Sequence, residues 1–534
     1  MLVNQVAQYL LRPMGSIGIP AIYLLLIALL VGKLVFDRIR KIRHLPPGPW
    51  GLPICGYIPF IKDDLHLCYD RLAKKYGSVF SVRLGSELAV VISDPSIIRE
   101  AFNLKEFSGR PHTDFMNIID GYGIVNTEGS LWRSERMFLH KNLRRFGMTK
   151  SGSNKDEMEQ RIQDEVRTFL QVLRRAAQHK VPTNISPALA VSISNVICSL
   201  TMSVRFDHDD WRFRGLMNLI DEGFILFGSL NYANSIPALR YLPWIHTTRS
   251  KIEQNRSEMV KFFQDIINQH RADFDENNIR DIVDTYLHGI QQAKNENREH
   301  ELFQGKDADR QMQQIMGDLF SAGMETVKTT LEWCVVFMLH YPEAAKAVQD
   351  ELDAVVGRSR LPTLKDSESL PITNATIHEI IRKSHIVPLG TTHATTRNVN
   401  FRGYTIPAGT HVIPLLYTVH MNEAYGWDEP EDFRPSRFIN PEGKFQKPKN
   451  FMPFGVGRRV CLGEVLASME IFMFFSSLMH TFNLSLPEGA TLPSLRGNFG
   501  VTMTPERFEV RLALREGEFD LGDYANVRLR PNGN

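Results

Sequence analysis

The 534-residue sequence predicts a mostly α-helical body with small β-sheets, preceded by one membrane-spanning helix. Three observations predict it. Apolar residues recur at helical spacing through residues 157–352, as in 158–177, 192–202, 249–274 and 311–339. Short β-prone runs broken by glycine and proline flank that block. Residues 13–32 carry no charge, and 21–31 are almost wholly aliphatic, long enough to cross a bilayer.

The apolar run ends in Lys33, Arg38, Arg40, Lys41 and Arg43 against Asp37 alone, which places the downstream side in the cytoplasm. A cleaved signal peptide is the alternative, but charge follows the run rather than preceding it, and no small-x-small cleavage site appears. An Arg- and Ser-rich amphipathic presequence is missing, which argues against mitochondria. Residues 1–44 are therefore expected to be an anchor with a basic stop-transfer segment. In residues 45–53, Leu45-Pro-Pro-Gly-Pro-Trp50 forbids helix and makes a stiff hinge. Residues 54–514 form the body, and 515–534 a polar tail expected to be loosely ordered. Within the body, 77–92 alternates around a glycine turn and predicts a β-hairpin; 398–413 holds short strands punctuated by Gly403 and Pro407-Ala-Gly409.

Lysine plus arginine (62) nearly balance aspartate plus glutamate (60), so bulk charge gives no argument for nucleic acid. The five cysteines, Cys55, Cys68, Cys198, Cys334 and Cys461, are odd in number and scattered, which suits a reducing compartment without a disulfide framework. N-glycosylation sequons start at Asn184, Asn255, Asn374 and Asn483, and stay unmodified if the body faces the cytosol.

Cys461 sits in the glycine-rich stretch Phe454-Gly-Val-Gly-Arg-Arg-Val-Cys-Leu-Gly463, which runs into an apolar helical pattern. A buried thiolate needs a metal and N–H donors, and a glycine-bearing loop offers the donors. Gly455, Gly457 and Gly463 remove side chains where a flat cofactor must approach. No second cysteine or histidine lies at zinc spacing, so a large cofactor with its own equatorial ligands, such as haem, suits a single thiolate better. The alternative is a buried structural thiol.

Read as F-x-x-G-x-R-x-C-x-G through Phe454, Gly457, Arg459, Cys461 and Gly463, the stretch resembles the haem-binding loop of the cytochrome P-450 monooxygenases. The resemblance implies the cytochrome P-450 fold, haem b, and Cys461 as the thiolate on its iron. Four further matches follow in family order. In Ser321-Ala-Gly-Met-Glu-Thr326, Gly323 interrupts a helical segment at a cost of about 1 kcal/mol, for close helix packing or for open space. The fragment resembles the family's [AG]-G-x-[DE]-T, which implies that Ala322 and Gly323 make room for dioxygen while Glu325 and Thr326 relay protons. Glu379 and Arg382, one helical turn apart, resemble E-x-x-R, and with Arg437 of the segment 430–438 imply a buried structural network. Trp132 and Arg136 match W-x-x-x-R, and His393 lies fourteen residues after Glu379; with Arg459 they are implied to bind the haem propionates. One position departs: some relatives carry a propionate-binding arginine just before the run Gly121-Tyr-Gly-Ile-Val125, where this chain has Asp120.

The implied reaction uses O2 and two electrons. No flavin or nicotinamide fingerprint follows a predicted strand, so the electrons must come from outside the chain; the resemblance implies NADPH through the membrane-bound cytochrome P-450 reductase, with cytochrome b5 as a further donor. Lys141, Arg144, Arg145, Lys444, Lys447, Lys449 and Arg458 are expected to dock that acidic partner. The implied location is the endoplasmic reticulum membrane, with the catalytic body cytosolic. Candidate pocket walls at 115–119, 224–227, around Ala322, 386–389 and 499–501 are mostly apolar, which suits a lipophilic small molecule. Within the family, the runs GYGIVNTEG, NVICSLTMS, NNIRDIVDTYL, DLFSAGMETVKTTL and FMPFGVGRRVCLG resemble the insect ecdysteroid 26-hydroxylases. That implies oxidation of 20-hydroxyecdysone at side-chain carbon 26, inactivating moulting hormone. Alternatives are a microsomal hydroxylase of fatty acids or xenobiotics, and a haem protein without oxygen chemistry.

Overall fold

The alternating run at 77–92 folds as the expected hairpin. The computed structural model, which describes residues 23, 44–149 and 151–516, pairs β1 (Val79–Leu84) with β2 (Glu87–Ile92) in antiparallel register, Val79 opposite Ile92. Successive side chains leave opposite faces of the sheet. Phe80, Val82, Ala89 and Val91 pack with Tyr69 and Leu72 of α1 (Leu65–Tyr76), while Val79, Val90 and Ile92 pack with Ile98 and Phe102 of α2 (Pro95–Asn103). Asp94 caps α2, accepting from the N–H groups of Ser96 and Ile97 at 2.8 and 3.0 Å.

The helical block begins with α3 (Asp114–Ile118), α4 (Gly129–Arg145) and α5 (Ser153–Gln178). It continues through α6 (Ser186–Thr201), α7 (Trp211–Ser235), α8 (Pro243–Ala272), α9 (Ile282–Asn295) and α10 (Ala308–His340). Then come α11 (Pro342–Val355) and α12 (Pro371–Ser384). The second half of the main sheet follows: β3 (His393–Ala394) and β6 (His411–Pro414), on either side of a hairpin of β4 (Val399–Phe401) and β5 (Tyr404–Ile406). After α13 (Leu416–Met421) and α14 (Glu464–Thr481), β7 (Phe482–Ser485) pairs β10 (Arg511–Leu514), and β8 (Asn498–Phe499) pairs β9 (Met503–Thr504). The main sheet runs β1-β2-β6-β3, with β2 and β6 parallel.

The expected anchor at 13–32 and the tail beyond residue 516 lie outside the described residues. Among the described residues no helix is long and apolar enough to cross a membrane. The first residue of the predicted tail is tied down: the Arg515 N–H donates to the Thr481 carbonyl at 3.0 Å and its guanidinium pairs with Asp353 at 2.6 Å. Of the sequon asparagines, Asn255 and Asn374 are buried, and Asn184 and Asn483 are exposed.

Two features of α10 fix the site's surroundings. It is 33 residues long, roughly 50 Å, and Asp307 caps it by accepting from the Arg310 N–H at 2.8 Å. A Cβ on Gly323 would come within 2.6 Å of Ile197 Cδ1 on α6. The glycine therefore accommodates Ile197 where two helices cross, the close-packing alternative for this position. Nearby, the buried carboxylate of Asp318 accepts from the N–H groups of Ile124 and Val125 at 2.7 and 2.9 Å. Gly123, at φ +91°, lies so close that a Cβ would approach Asp318 Oδ2 to 2.4 Å. The loop at 121–127 is thereby fastened to α10. Asp318→Ala leaves two buried N–H groups without acceptors, a cost of about 1–3 kcal/mol each. Thermal unfolding is expected several degrees lower, and a melting temperature equal to wild type would show that the fastening is dispensable.

Candidate active site

The cysteine loop is built on its own backbone. The Cys461 N–H donates to the Phe454 carbonyl at 3.0 Å, closing the loop, and Gly457 sits at φ +78° where a Cβ would come 2.3 Å from the Phe102 carbonyl oxygen at the end of α2. Only glycine fits there. The loop delivers Cys461 just before α14. Its side chain is accessible, yet burial pushes its thiol pKa up, as for a group bordering an opening inside the protein rather than the outer surface. Backbone N–H groups of Gly463 and Glu464 and the charge of Arg136 act the other way and favour the thiolate. Gly463 has open space where a Cβ would project.

Around this opening the fold collects positive charge. Arg459 lies with its guanidinium 4.0 Å from the centre of the Trp132 ring and donates to the Ser108 and Thr127 carbonyls at 2.8 and 2.6 Å. Its Nη1 is buried without a partner among the described residues. Arg136, four residues after Trp132 on α4, donates to the Val460 carbonyl at 2.5 Å. Arg110 was not foreseen: it is 6% exposed and donates to the Val125 and Thr392 carbonyls at 2.9 and 2.8 Å. Burial first, then mutual repulsion, pushes Arg459 down to about 8 and Arg110 to about 10. His393 stacks on Phe102 with ring centres 4.0 Å apart, its Nδ1 2.8 Å from the Phe107 carbonyl, and burial beside Arg110 and Arg459 pushes it down to about 3. Three guanidinium groups with Glu128 as the nearby carboxylate make a basin for added anions. An accessible thiol held by N–H groups, with a cationic basin beside it, fits the iron and paired carboxylates of haem.

Asp120, the position that departs from the family pattern, is occupied otherwise. Its carboxylate pairs with Arg310 of α10, and its backbone carbonyl accepts from Lys306 at 2.7 Å.

On α10, Ala322 is exposed in the middle of a largely buried helix. The Thr326 hydroxyl donates to the Ala322 carbonyl at 2.9 Å, leaving its oxygen free to accept. Glu325 points elsewhere, since neighbours on a helix diverge by about 100°. Its carboxylate pairs with Lys328 at 2.7 Å and accepts from the Thr329 and Thr502 hydroxyls at 3.2 and 3.1 Å. No hydrogen bond joins the side chains of Glu325 and Thr326 among the described residues.

The structure brings Glu379, Arg382 and Arg437 together. Arg382 forks onto Glu379 with two bonds of 2.7 Å and donates to the carbonyls of His420, Pro430 and Asp432. Arg437 Nε lies 3.4 Å from Glu379 Oε1, which also takes the Arg434 N–H at 2.8 Å. Both Glu379 and Arg382 are fully buried. The seven cations at 141, 144, 145, 444, 447, 449 and 458 are all exposed. Of the expected walls, 386–389 is tied to the β8–β9 hairpin that carries 499–501, through the Met503 N–H of β9, which donates to the Ile386 carbonyl at 2.9 Å.

A family model described as cytochrome P450 matches residues 46–512. The chain is 55% identical to Cytochrome P450 18a1 of Drosophila melanogaster, covering 89% of this chain and 88% of the relative. It is 34% identical to Cytochrome P450 2U1 of Rattus norvegicus, covering 89% and 92%, and 36% identical to Cytochrome P450 2F3 of Capra hircus, covering 92% and 98%. With the body matched from end to end, the chain belongs to the cytochrome P450 family: it is a monooxygenase with cysteine-ligated haem that takes O2, a lipophilic substrate, and NADPH-derived electrons from a reductase.

Proposed function

We propose that this enzyme hydroxylates an ecdysteroid, 20-hydroxyecdysone, at side-chain carbon 26 and so inactivates moulting hormone. The observation that carries the reading is the 55% identity to the fly relative, against 34–36% for the mammalian ones above, together with the five runs that resemble insect ecdysteroid 26-hydroxylases.

In this reading Cys461 would supply the thiolate that holds the haem iron, and Arg110, Trp132, Arg136, His393 and Arg459 would hold the propionates. Phe454, Gly457 and Gly463 shape the loop around the sulfur. Bound haem supplies dioxygen activation, which a thiolate ligand promotes by donating electron density. The chain's own residues do the rest. Ala322 leaves space on α10, and Thr326 accepts a hydrogen bond from water there and passes a proton on. Glu325, clamped by Lys328, is the acidic reserve one residue away. The apolar walls exclude bulk water and choose the carbon presented. Glu379, Arg382 and Arg437 hold the loop's support rigid.

Residues 1–44 anchor the chain in the endoplasmic reticulum membrane, 45–53 form the hinge, 54–514 the cytosolic catalytic domain and 515–534 the tail. The seven exposed cations receive the reductase, and cytochrome b5 where it takes part.

The test is turnover of 20-hydroxyecdysone by haem-loaded enzyme reconstituted with reductase, read by mass spectrometry. A product heavier by one oxygen on the terminal side chain is expected. No oxygenated product, with laurate oxidised instead, would replace the ecdysteroid reading with the fatty-acid one.

A further inference from the structure

A cavity of about 440 Å³ opens at one end of the main sheet, and none of its lining residues belongs to the cysteine loop, the arginine basin or α10. Its walls are the β1–β2 turn, the end of α7 with residues 237–240, and the loop 407–410 that leads into His411 of β6. The turn is docked on α7 through backbone. The Ser86 N–H donates to the Ser235 carbonyl at 2.7 Å, and a Cβ on Gly85 would come within 1.8 Å of that carbonyl oxygen.

Several polar groups on these walls have capacity left over. Asn234 is 7% exposed, and its Oδ1 accepts from the Asp114 N–H at 2.9 Å. That bond orients the amide, whose Nδ2 donates to no group among the described residues. Neither ring nitrogen of His411 is bonded among the described residues, and burial first, then His112, holds its pKa down. The neutral ring offers one donor and one acceptor. Glu87 Oε2 accepts from the Ser235 hydroxyl at 2.9 Å, which leaves its other oxygen to accept again. Arg240 Nε lies 3.1 Å from Asp114 Oδ2, while its two outer nitrogens are unbonded among the described residues.

Charge on the walls is balanced. Arg83 and Arg240 stand against Glu87 and the buried Asp114, and the exposed His112 lies 3.3 Å from Glu128. An anion meets the carboxylates, and a cation meets the guanidinium groups. A hydroxyl suits both kinds of partner, because it donates and accepts at once. Leu88, Pro237, Pro407 and Ala408 supply apolar surface between the polar groups.

We propose that this cavity is a second binding site, separate from the haem opening, for a neutral polyhydroxylated molecule with apolar faces. Its volume lies in the range of small-molecule sites, which pair apolar walls with a few placed polar groups. A steroid polyol and the sugar head of a lipid share this chemistry. The choice of the steroid probe rests on the ecdysteroid reading; the site itself does not.

The experiment is equilibrium dialysis of the haem-loaded, full-length enzyme with 20-hydroxyecdysone, which counts bound steroid, beside the haem spectrum, which reports only what reaches the iron. Wild type is expected to hold one equivalent that leaves the spectrum unchanged. Ala408→Trp, at an exposed position on the wall, fills the cavity without removing a charged group. It is expected to abolish the silent equivalent and to keep the reduced carbon monoxide spectrum. His411→Phe keeps a ring but loses both hydrogen-bonding atoms, and is expected to weaken silent binding about fivefold. Octyl glucoside is the second probe: silent binding of it alone, lost in Ala408→Trp, assigns the same site to a sugar head. No silent equivalent of either probe, or one that Ala408→Trp leaves in place, overturns the inference. Silent binding of 20-hydroxyecdysone without hydroxylation overturns the carbon-26 reading and leaves the site standing. Hydroxylation with no silent equivalent of either probe does the reverse.

Discussion

Cys461→His is expected to remove the thiolate-specific absorption of the reduced carbon monoxide complex and to abolish hydroxylation. Imidazole can still reach iron, so haem is retained in part, while the electron donation that promotes O–O cleavage is lost. Turnover should drop on the order of a thousandfold or more, about 4 kcal/mol in barrier height. The alternative reading of Cys461 as a structural thiol predicts the opposite: a modest change in stability and an intact spectrum. Cys198 and Cys334 are the controls. Both are fully buried, and burial alone is enough to push their thiols far up, so serine there should disturb packing and leave the absorption band in place.

Glu379→Ala is expected to give a protein that fails to retain haem. The substitution leaves Arg382 charged, fully buried and stripped of both fork bonds, and it frees the Arg434 N–H as well. Breaking such a pair from one side costs about 3–5 kcal/mol, a large share of the 5–15 kcal/mol that holds a typical domain together. Arg382 also bonds the carbonyls of His420, Pro430 and Asp432, so its displacement loosens the segment leading to the cysteine loop. Glu379→Gln, which keeps one acceptor, should be milder. The haem-to-protein ratio and the melting temperature of the two variants give the ranking; a normal haem-thiolate spectrum from Glu379→Ala would remove the network from the list of what supports the site.

Much of the helical core could be read from periodicity, because α5, α6, α8 and α10 each bury a face or more. Their starts were harder. α8 begins at Pro243, six residues before the periodic pattern becomes obvious, since proline at the first helical turn costs no hydrogen bond and leaves no apolar repeat to detect. Most site residues named from sequence sit close together in the short strings 321–326, 379–382 and 454–463, while Trp132, Arg136, His393 and Arg437 were named by family resemblance. Arg110 escaped because a lone arginine in an irregular stretch carries no periodic or motif information; only the fold sets it beside Arg459. Asp318 and Gly123 escaped for the same reason, being 195 residues apart in the chain and joined by a contact of atoms. Gly323 shows the converse. Its helix-breaking composition was noticed, but composition cannot tell which way a missing Cβ would have pointed.

If Arg110, Arg136 and Arg459 hold the cofactor's carboxylates, its capture would be coupled to folding. Burial first, and repulsion from a neighbouring guanidinium second, hold Arg110 and Arg459 below the ordinary guanidinium range. A ligand with two carboxylates would offset both effects, and any ligand that binds only the folded form adds RT ln(1 + [L]/Kd) to stability. Haem supply would then set how many newly made chains survive, and a shortage would appear as lost protein before it appeared as lost activity.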